Sequence, residues 1–321
     1  MSCLFLHVCK RLFHGFEIAG TQTRGLNSVG RKNIMKNTIL AGIAALLLSV
    51  LPAGAVVLVD STFTNSSMGA IGRNATNTSN LTPWFLISNA SSGNAAVVDD
   101  SVSGGLGKSM QVNNGNTVYT AFSSSSLADG DSITLTLNYR FLSAPSAGSE
   151  TFRIALSNSN AAAAIVSDQA SISTTPTANL QEYVGYYAGL AIGVNPSSTG
   201  TVLRQRDSGN TNALTSQNQS GSALAFNNSG VVSGNSTHSL EYSISRSGST
   251  LSFSTKIDGS TLLNGTDSTS IYTSFNALSI AGVGGTVVFD NILLQTVPEP
   301  ATYTLLGLGA AFLLYRRHRR A

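Results

Sequence analysis

The chain has 321 residues, and its 18 Lys+Arg against 15 Asp+Glu give a formal net charge of +3 with only 10% of residues charged. The basic excess sits at the ends: Val56 to Val297 holds 8 basic and 13 acidic side chains, a balance of −5, which excludes the electrostatic footprint of a nucleic-acid binder. Both cysteines, Cys3 and Cys9, precede that body, so it has no disulfide and no thiol chemistry.

Residues 1–34 lack periodicity and are read as an upstream extension, with Met35 as the start, or else as an unusually long n-region. From Met35 the sequence MKNTILAGIAALLLSVLPAGAVVLVD has the parts of a secretory signal. Lys36 supplies positive charge, Ile39 to Leu51 is a short apolar segment, and Ala53-Gly54-Ala55 is a small-x-small cleavage site. The apolar run falls short of the about 20 residues of a comfortable span. The expected organisation is a leader over 1–55, a body over 56–296 and a tail over 297–321.

The body reads as strands. VVLV opens it at Val56, followed by Asp60. The clearest element is Asp131 to Leu142, in which Ile133, Leu135, Leu137, Tyr139 and Phe141 alternate with Thr134, Thr136, Asn138 and Arg140. Period two predicts a strand with one apolar and one wet face. Further strands are predicted at Thr117–Phe122, Thr151–Ser157, Glu182–Val194, Thr201–Arg206, Ala277–Ala281 and Thr286–Gln295. Leu240, Tyr242 and Ile244 line one face of a first arm, and Leu251, Phe253, Thr255 and Ile257 continue the pattern beyond Ser247-Gly248-Ser249 as a hairpin. Ala161 to Val166 is the one stretch suited to a helical turn or two. Residues 208–237 are unpatterned and predict a long exposed loop. Many alternating strands and little helix predict an all-β, antiparallel two-sheet β-sandwich, a jelly roll. A signal helix and a short transmembrane helix would flank it. VVLVDSTF, the Asp129-Gly130-Asp131 turn and the closing VVFDNILLQ resemble a laminin-G-like or concanavalin-like jelly roll, a resemblance of general features that transfers no sugar-binding residue.

The end of the chain reads VPEPATYTLLGLGAAFLLYRRHRRA. Ala301 to Tyr315 is nearly all apolar, and as a helix it spans roughly 22 Å. Arg316, Arg317, Arg319 and Arg320 would remain cytoplasmic. Pro298 and Pro300 hold Glu299 extended. This order of tripeptide, short span and basic stop, paired with a signal peptide, resembles the PEP-CTERM sorting domain of Gram-negative bacteria. The resemblance covers about the last 25 residues. It implies a substrate of an exosortase, with Pro298, Glu299 and Pro300 as recognition residues, reached through the export machinery and the inner membrane. It also implies a place at the cell surface or in the matrix, linked to biofilm and exopolysaccharide.

Catalytic constellations are sparse. His238 is the only histidine of the body. It would be the base of any Ser-His-Asp triad, but no G-x-S-x-G elbow accompanies it, and it is expected to be an exposed turn residue. Glu150, Glu182 and Glu241 are scattered one per strand edge, unlike the compact carboxylate run of a glycosidase. No enzyme is expected. Trp84, Tyr183, Tyr186 and Tyr187 are expected to be buried, with stacking on a sugar by Trp84 or Tyr187 as the alternative. No cofactor is expected. The one metal hypothesis is structural calcium between Asp60 and Asp290, brought together by the first and last strands; the alternative is that Asp290 caps a bulge and Asp60 is solvated. Asp99-Asp100 and Asp129-Gly130-Asp131 read as turn caps before they read as calcium ligands. The leading expectation is thus an exported structural or adhesive protein. The alternatives are a carbohydrate-binding module and, behind it, a glycoside-active enzyme.

Overall fold

The alternation at 132–141 governs the architecture. In the computed structural model, strand β7 (Ser132–Phe141) buries every second residue from Ile133 to Phe141 and leaves the others half-buried. The structure describes residues 54–63, 69–71, 83–88, 95–142, 145, 151–160, 164, 166–170, 178–192, 200–210, 214–215, 221, 223–228 and 236–299. The signal segment with Met35 and Ala53, together with Glu150, Pro300 and the apolar and basic tail, lies outside these residues.

Two sheets form. The first runs β15 (Ser260–Asp267), β14 (Thr250–Ile257), β13 (His238–Ser247), β7, β17 (Val287–Val297), β5 (Gly107–Val112), β4 (Ala95–Asp100) and β2 (Gly69–Ile71), and β1 (Val56–Ser61) also pairs with β17. The second runs β12 (Ala223–Asn227), β11 (Thr201–Arg206), β10 (Val184–Leu190), β8 (Phe152–Asn158), β16 (Ser274–Gly282), β6 (Thr117–Ser126), β3 (Phe85–Ser88) and β9 (Gln169–Ala170). All pairs among the described residues are antiparallel except the two-residue contact of β3 with β9. One core holds Leu135, Leu137 and Tyr242 from the first sheet with Ile154, Tyr186 and Ile280 from the second.

The hairpins follow from turn chemistry. β13 and β14 pair from Leu240↔Ile257 to Ser247↔Thr250, leaving Gly248-Ser249 as a two-residue loop in which Gly248 has φ 59°. β14 and β15 close at Ile257↔Ser260 around Asp258-Gly259, with φ of 50° and 77°. Two successive positive φ values define a type I′ turn, whose twist matches that of the strands and for which Asp-Gly is a preferred pair.

The sequence expectation fails at 208–237. β12 lies inside that range, and Asn210, Leu214 and Thr215 are buried. A second apolar cluster explains this: Ile87, Tyr119, Leu180, Tyr183 and Leu214 pack together outside the main core. The short helix α1 (Ala178–Gln181) and the chain near Leu214 therefore cover the outer face of the second sheet, and β10 is buried at all seven positions. A strand covered on both sides loses its alternation. The predicted strand 182–194 is accordingly shorter, at Val184–Leu190. Of the predicted helical turn at 161–166, the described residues Ala164 and Val166 are not helical.

The core carries an avoidable cost at Tyr242. The Tyr242 hydroxyl is buried without a hydrogen-bond partner, and burial pushes its ionisation far above the ordinary range. Tyr242→Phe removes the unpaired group and keeps the ring, so it is expected to stabilise the sandwich by about 1 kcal/mol. Chemical denaturation reads the change; a loss of stability would show that the hydroxyl has a partner in solution.

Candidate functional site

Among the described residues, two of the polar depressions on the body gather charged side chains. The first is a recess of about 260 Å³ lined by Thr136, Asn138, Ser239, Glu241, Lys256 and Asn291 among others. These residues are turned outward from β7, β13 and β14 by strand alternation, with Asn291 from the irregularity of β17. Glu241 and Lys256 are cross-strand partners, and Lys256 Nζ donates to Glu241 Oε1 at 2.7 Å.

The second is an open cleft of about 730 Å³ at the ends of β11 and β15, lined by Gln205, Asp207, Thr266, Asp267 and Tyr272 with the intervening serines and threonine. Tyr186 Oη donates to Asp267 Oδ2 at 2.8 Å, and Tyr272 Oη donates to Asp207 Oδ1 at 2.9 Å. Burial first, then the two nearby aspartates, push the Tyr272 hydroxyl up to about 12, so it stays a donor at neutral pH. The chain 268–271 that walls the cleft is tied down by the bonds from Thr269 N to Asp267 Oδ1 and from Gln205 Nε2 to Ser270 O, both 2.9 Å. The result is a rim of fixed donors and acceptors around one half-buried ring, chemistry suited to hydroxyl-rich ligands.

The residues singled out in the sequence take other places. Trp84, Tyr183, Tyr186 and Tyr187 are all buried, and Trp84 Nε1 donates to Ser61 Oγ at 3.1 Å. Stacking of Trp84 or Tyr187 on a sugar is thereby removed. Glu182 accepts from Ser208 Oγ and Glu241 pairs with Lys256, so these two carboxylates share no cleft. Asp129 accepts from Gly248 N at 2.6 Å and Asp131 from Ala128 N at 2.9 Å, both as turn caps. Asp100 pairs with Arg140 and accepts from Leu106 N. Burial raises its pKa, but these bonds and the Arg140 charge outweigh it and hold the carboxyl below its ordinary value.

Asp60 is exposed on β1 opposite Leu293. Asp290 is buried at the β17 irregularity and accepts from Phe63 N at 3.1 Å. Burial pushes its pKa up, partly offset by bonds from Asn291 and Phe63 N–H. One carboxylate thus faces water while the other caps a bulge. Among the described residues no group of three or more His, Cys, Asp or Glu side chains gathers.

His238 is a correction. It is not an exposed turn residue but the first residue of β13, with its ring 5.7 Å from that of Tyr139 and its side chain 12% exposed. Its neighbours are Asp258 and Ser236, which the sequence reading passed over. The signal was available: a two-residue loop at Gly248-Ser249 sets a register that carries Asp258 to the start of β13.

The strand pairing makes the body an all-β jelly-roll sandwich of two antiparallel sheets. Solved structures of similar shape include the Emp46p carbohydrate recognition domain in metal-free form, with 10% identity, a TM-score of 0.36 and coverage of 66% of this chain and 87% of that one. A protein of unknown function with a galectin-like fold from Bacillus subtilis gives 12% and 0.36 over 67% and 90%. Peanut lectin gives 14% and 0.36 over 67% and 97%. At such scores the fold assignment rests on the strand pairing itself. No curated protein matches the sequence. Residues 296–320 match the PEP-CTERM protein-sorting motif, so the jelly roll runs directly into a sorting signal. Among the described residues no helix is long and apolar enough to cross a membrane.

Proposed function

We propose that this is an exported protein sorted through its C-terminal segment, acting at the cell surface or in the extracellular matrix as a structural or adhesive component of biofilm or exopolysaccharide. The observation that carries the reading is the PEP-CTERM match at 296–320. In this account the leader is removed at Ala53-Gly54-Ala55, and the tail enters the inner membrane transiently. Arg316, Arg317, Arg319 and Arg320 stop it there, and an exosortase reads Pro298, Glu299 and Pro300. The geometry at the junction supports the reading. β17 ends at Val297, Pro298 cannot continue the ladder, and Glu299 is exposed. A cut at the tripeptide therefore costs the sandwich no strand. The expected result is that the 56–297 fragment melts at the temperature of the longer chain. Deleting 298–321 from the gene should change where the protein is found on cell fractionation. Unchanged distribution would reject sorting by the tail.

A second reading adds carbohydrate binding at the cleft of Asp207, Asp267 and Tyr272, favoured by its fixed polar rim. Tyr272→Ala removes both the ring and the donor to Asp207. It is expected to weaken binding to the producer's own extracellular polysaccharide about tenfold or more, measured on protein shown to be folded, because the ring also packs against the core. Wild-type protein that leaves the polysaccharide unbound in a pull-down would remove this reading and leave the sorted structural role.

A further inference from the structure

Ser236, His238 and Asp258 form a hydrogen-bonded chain at the start of β13. His238 Nδ1 lies 2.6 Å from Asp258 Oδ2, and His238 Nε2 lies 2.7 Å from Ser236 Oγ. A carboxylate only accepts, so Nδ1 carries the proton in the neutral ring. That leaves the Nε2 lone pair to accept, and the Ser236 hydroxyl donates to it. The order of nucleophile, base and orienting carboxylate is that of a serine acyl-transfer relay.

The surroundings fix the two supporting members and leave the first free to react. The imidazole packs beside the Tyr139 ring, with the two planes 34° apart. Asp258 is held by the type I′ turn and by Ser239, whose N–H donates to Oδ1 at 2.9 Å and whose hydroxyl donates to the same atom at 3.2 Å. Burial raises the Asp258 pKa, but the bonds from His238 and Ser239 hold it below its ordinary value, so it is ionised at neutral pH. Ser236 is exposed, whereas its neighbour Thr237 spends its hydroxyl on the Gly104 carbonyl. A serine that merely capped the strand would bond backbone as Thr237 does; the Ser236 hydroxyl instead meets the ring nitrogen.

We propose that Ser236 is an acyl-accepting nucleophile, activated by His238 and positioned by Asp258, that acts on small O-acyl esters. In the first step the bond from Ser236 Oγ to the acyl carbon forms while the hydroxyl proton passes to Nε2. The ester C–O bond then breaks, and the leaving alkoxide takes that proton. Water attacks the acyl-serine with Nε2 again accepting a proton, releasing the carboxylic acid and restoring the hydroxyl. No electron transfer and no further reactant is needed.

The test uses the purified full chain with a fluorophosphonate probe, p-nitrophenyl acetate and an acetylated monosaccharide. The expected result is a phosphonylated Ser236 on peptide mapping and release of acetate from both esters. Ser236→Ala, at an exposed position, should fold as before and lose the label and the turnover. Asp258→Asn keeps an oxygen for Ser239 but donates to Nδ1, forcing the proton onto Nε2. Its kcat should fall about 100-fold or more with KM little changed and the melting temperature retained. Absence of label from Ser236 in folded wild-type protein, or Ser236→Ala turning over at the wild-type rate, would overturn the proposal.

Discussion

Leu135→Asp is expected to abolish folding, while Thr136→Asp, one residue along, leaves the sandwich standing. Leu135 is fully buried in the core on the central part of β7, with Tyr242 opposite it on β13 and Leu294 on β17. A carboxylate there finds no cation, and an unpaired buried charge costs several kcal/mol even after relaxation. That is comparable to the whole stability of an ordinary domain, about 5–15 kcal/mol. Thr136 points the other way and lines the outer recess. Its aspartate would face Glu241 on the neighbouring strand, a like-charge pair worth about 1 kcal/mol or less. Circular dichroism and thermal melting separate the two variants. Equal stability would mean that the register of β7 is wrong.

Arg206→Met is expected to cost about 3–5 kcal/mol and to lower the melting temperature by roughly 10 °C. Arg206 is 1% exposed. Its Nε donates to Tyr183 O at 3.0 Å, and its Nη2 donates to Leu180 O at 2.9 Å and Asn210 O at 3.0 Å. One guanidinium thus ties α1 and the start of β10 to the chain that covers the second sheet. Burial brings its pKa down to about 10, which leaves it charged at neutral pH. Methionine fills the volume but leaves three buried carbonyls without these donors, each worth about 1–3 kcal/mol. Lysine cannot span the same fork, so Arg206→Lys should recover only part of the loss. Limited proteolysis should cut first near residues 207–215 in the variant. A wild-type melting temperature for Arg206→Met would show that the cover is held by apolar packing alone.

The sequence was most informative where one face of a strand is wet. β7, β13 and β14 alternate cleanly because their outer residues meet solvent or the recess, and the expected strands there fall within a residue or two of the observed ones. It was least informative where a second layer hides both faces. Leu214 looks like an isolated apolar residue in polar surroundings, yet it packs with Tyr183 on the outer face of the second sheet. β12 escaped notice because Ala223–Asn227 is short and carries a single large apolar pair, Leu224 and Phe226. The sorting signal was legible because its order of residues is linear and needs no fold. The Ser236, His238 and Asp258 relay was not read, since it exists only through the β13–β14 register. The cleft at Asp207 and Tyr272 joins the end of one sheet's strand to a loop of the other and has no sequence pattern.

The central claim is that this jelly roll is exported and released from its sorting tail. Intact-mass measurement of the protein recovered from the surface or medium of the source cell tests it most directly. The account predicts a mature chain that begins near Val56 and ends at or close to Pro298-Glu299-Pro300. Recovery of a chain that keeps residues 301–321, from cells with an active exosortase, would contradict it.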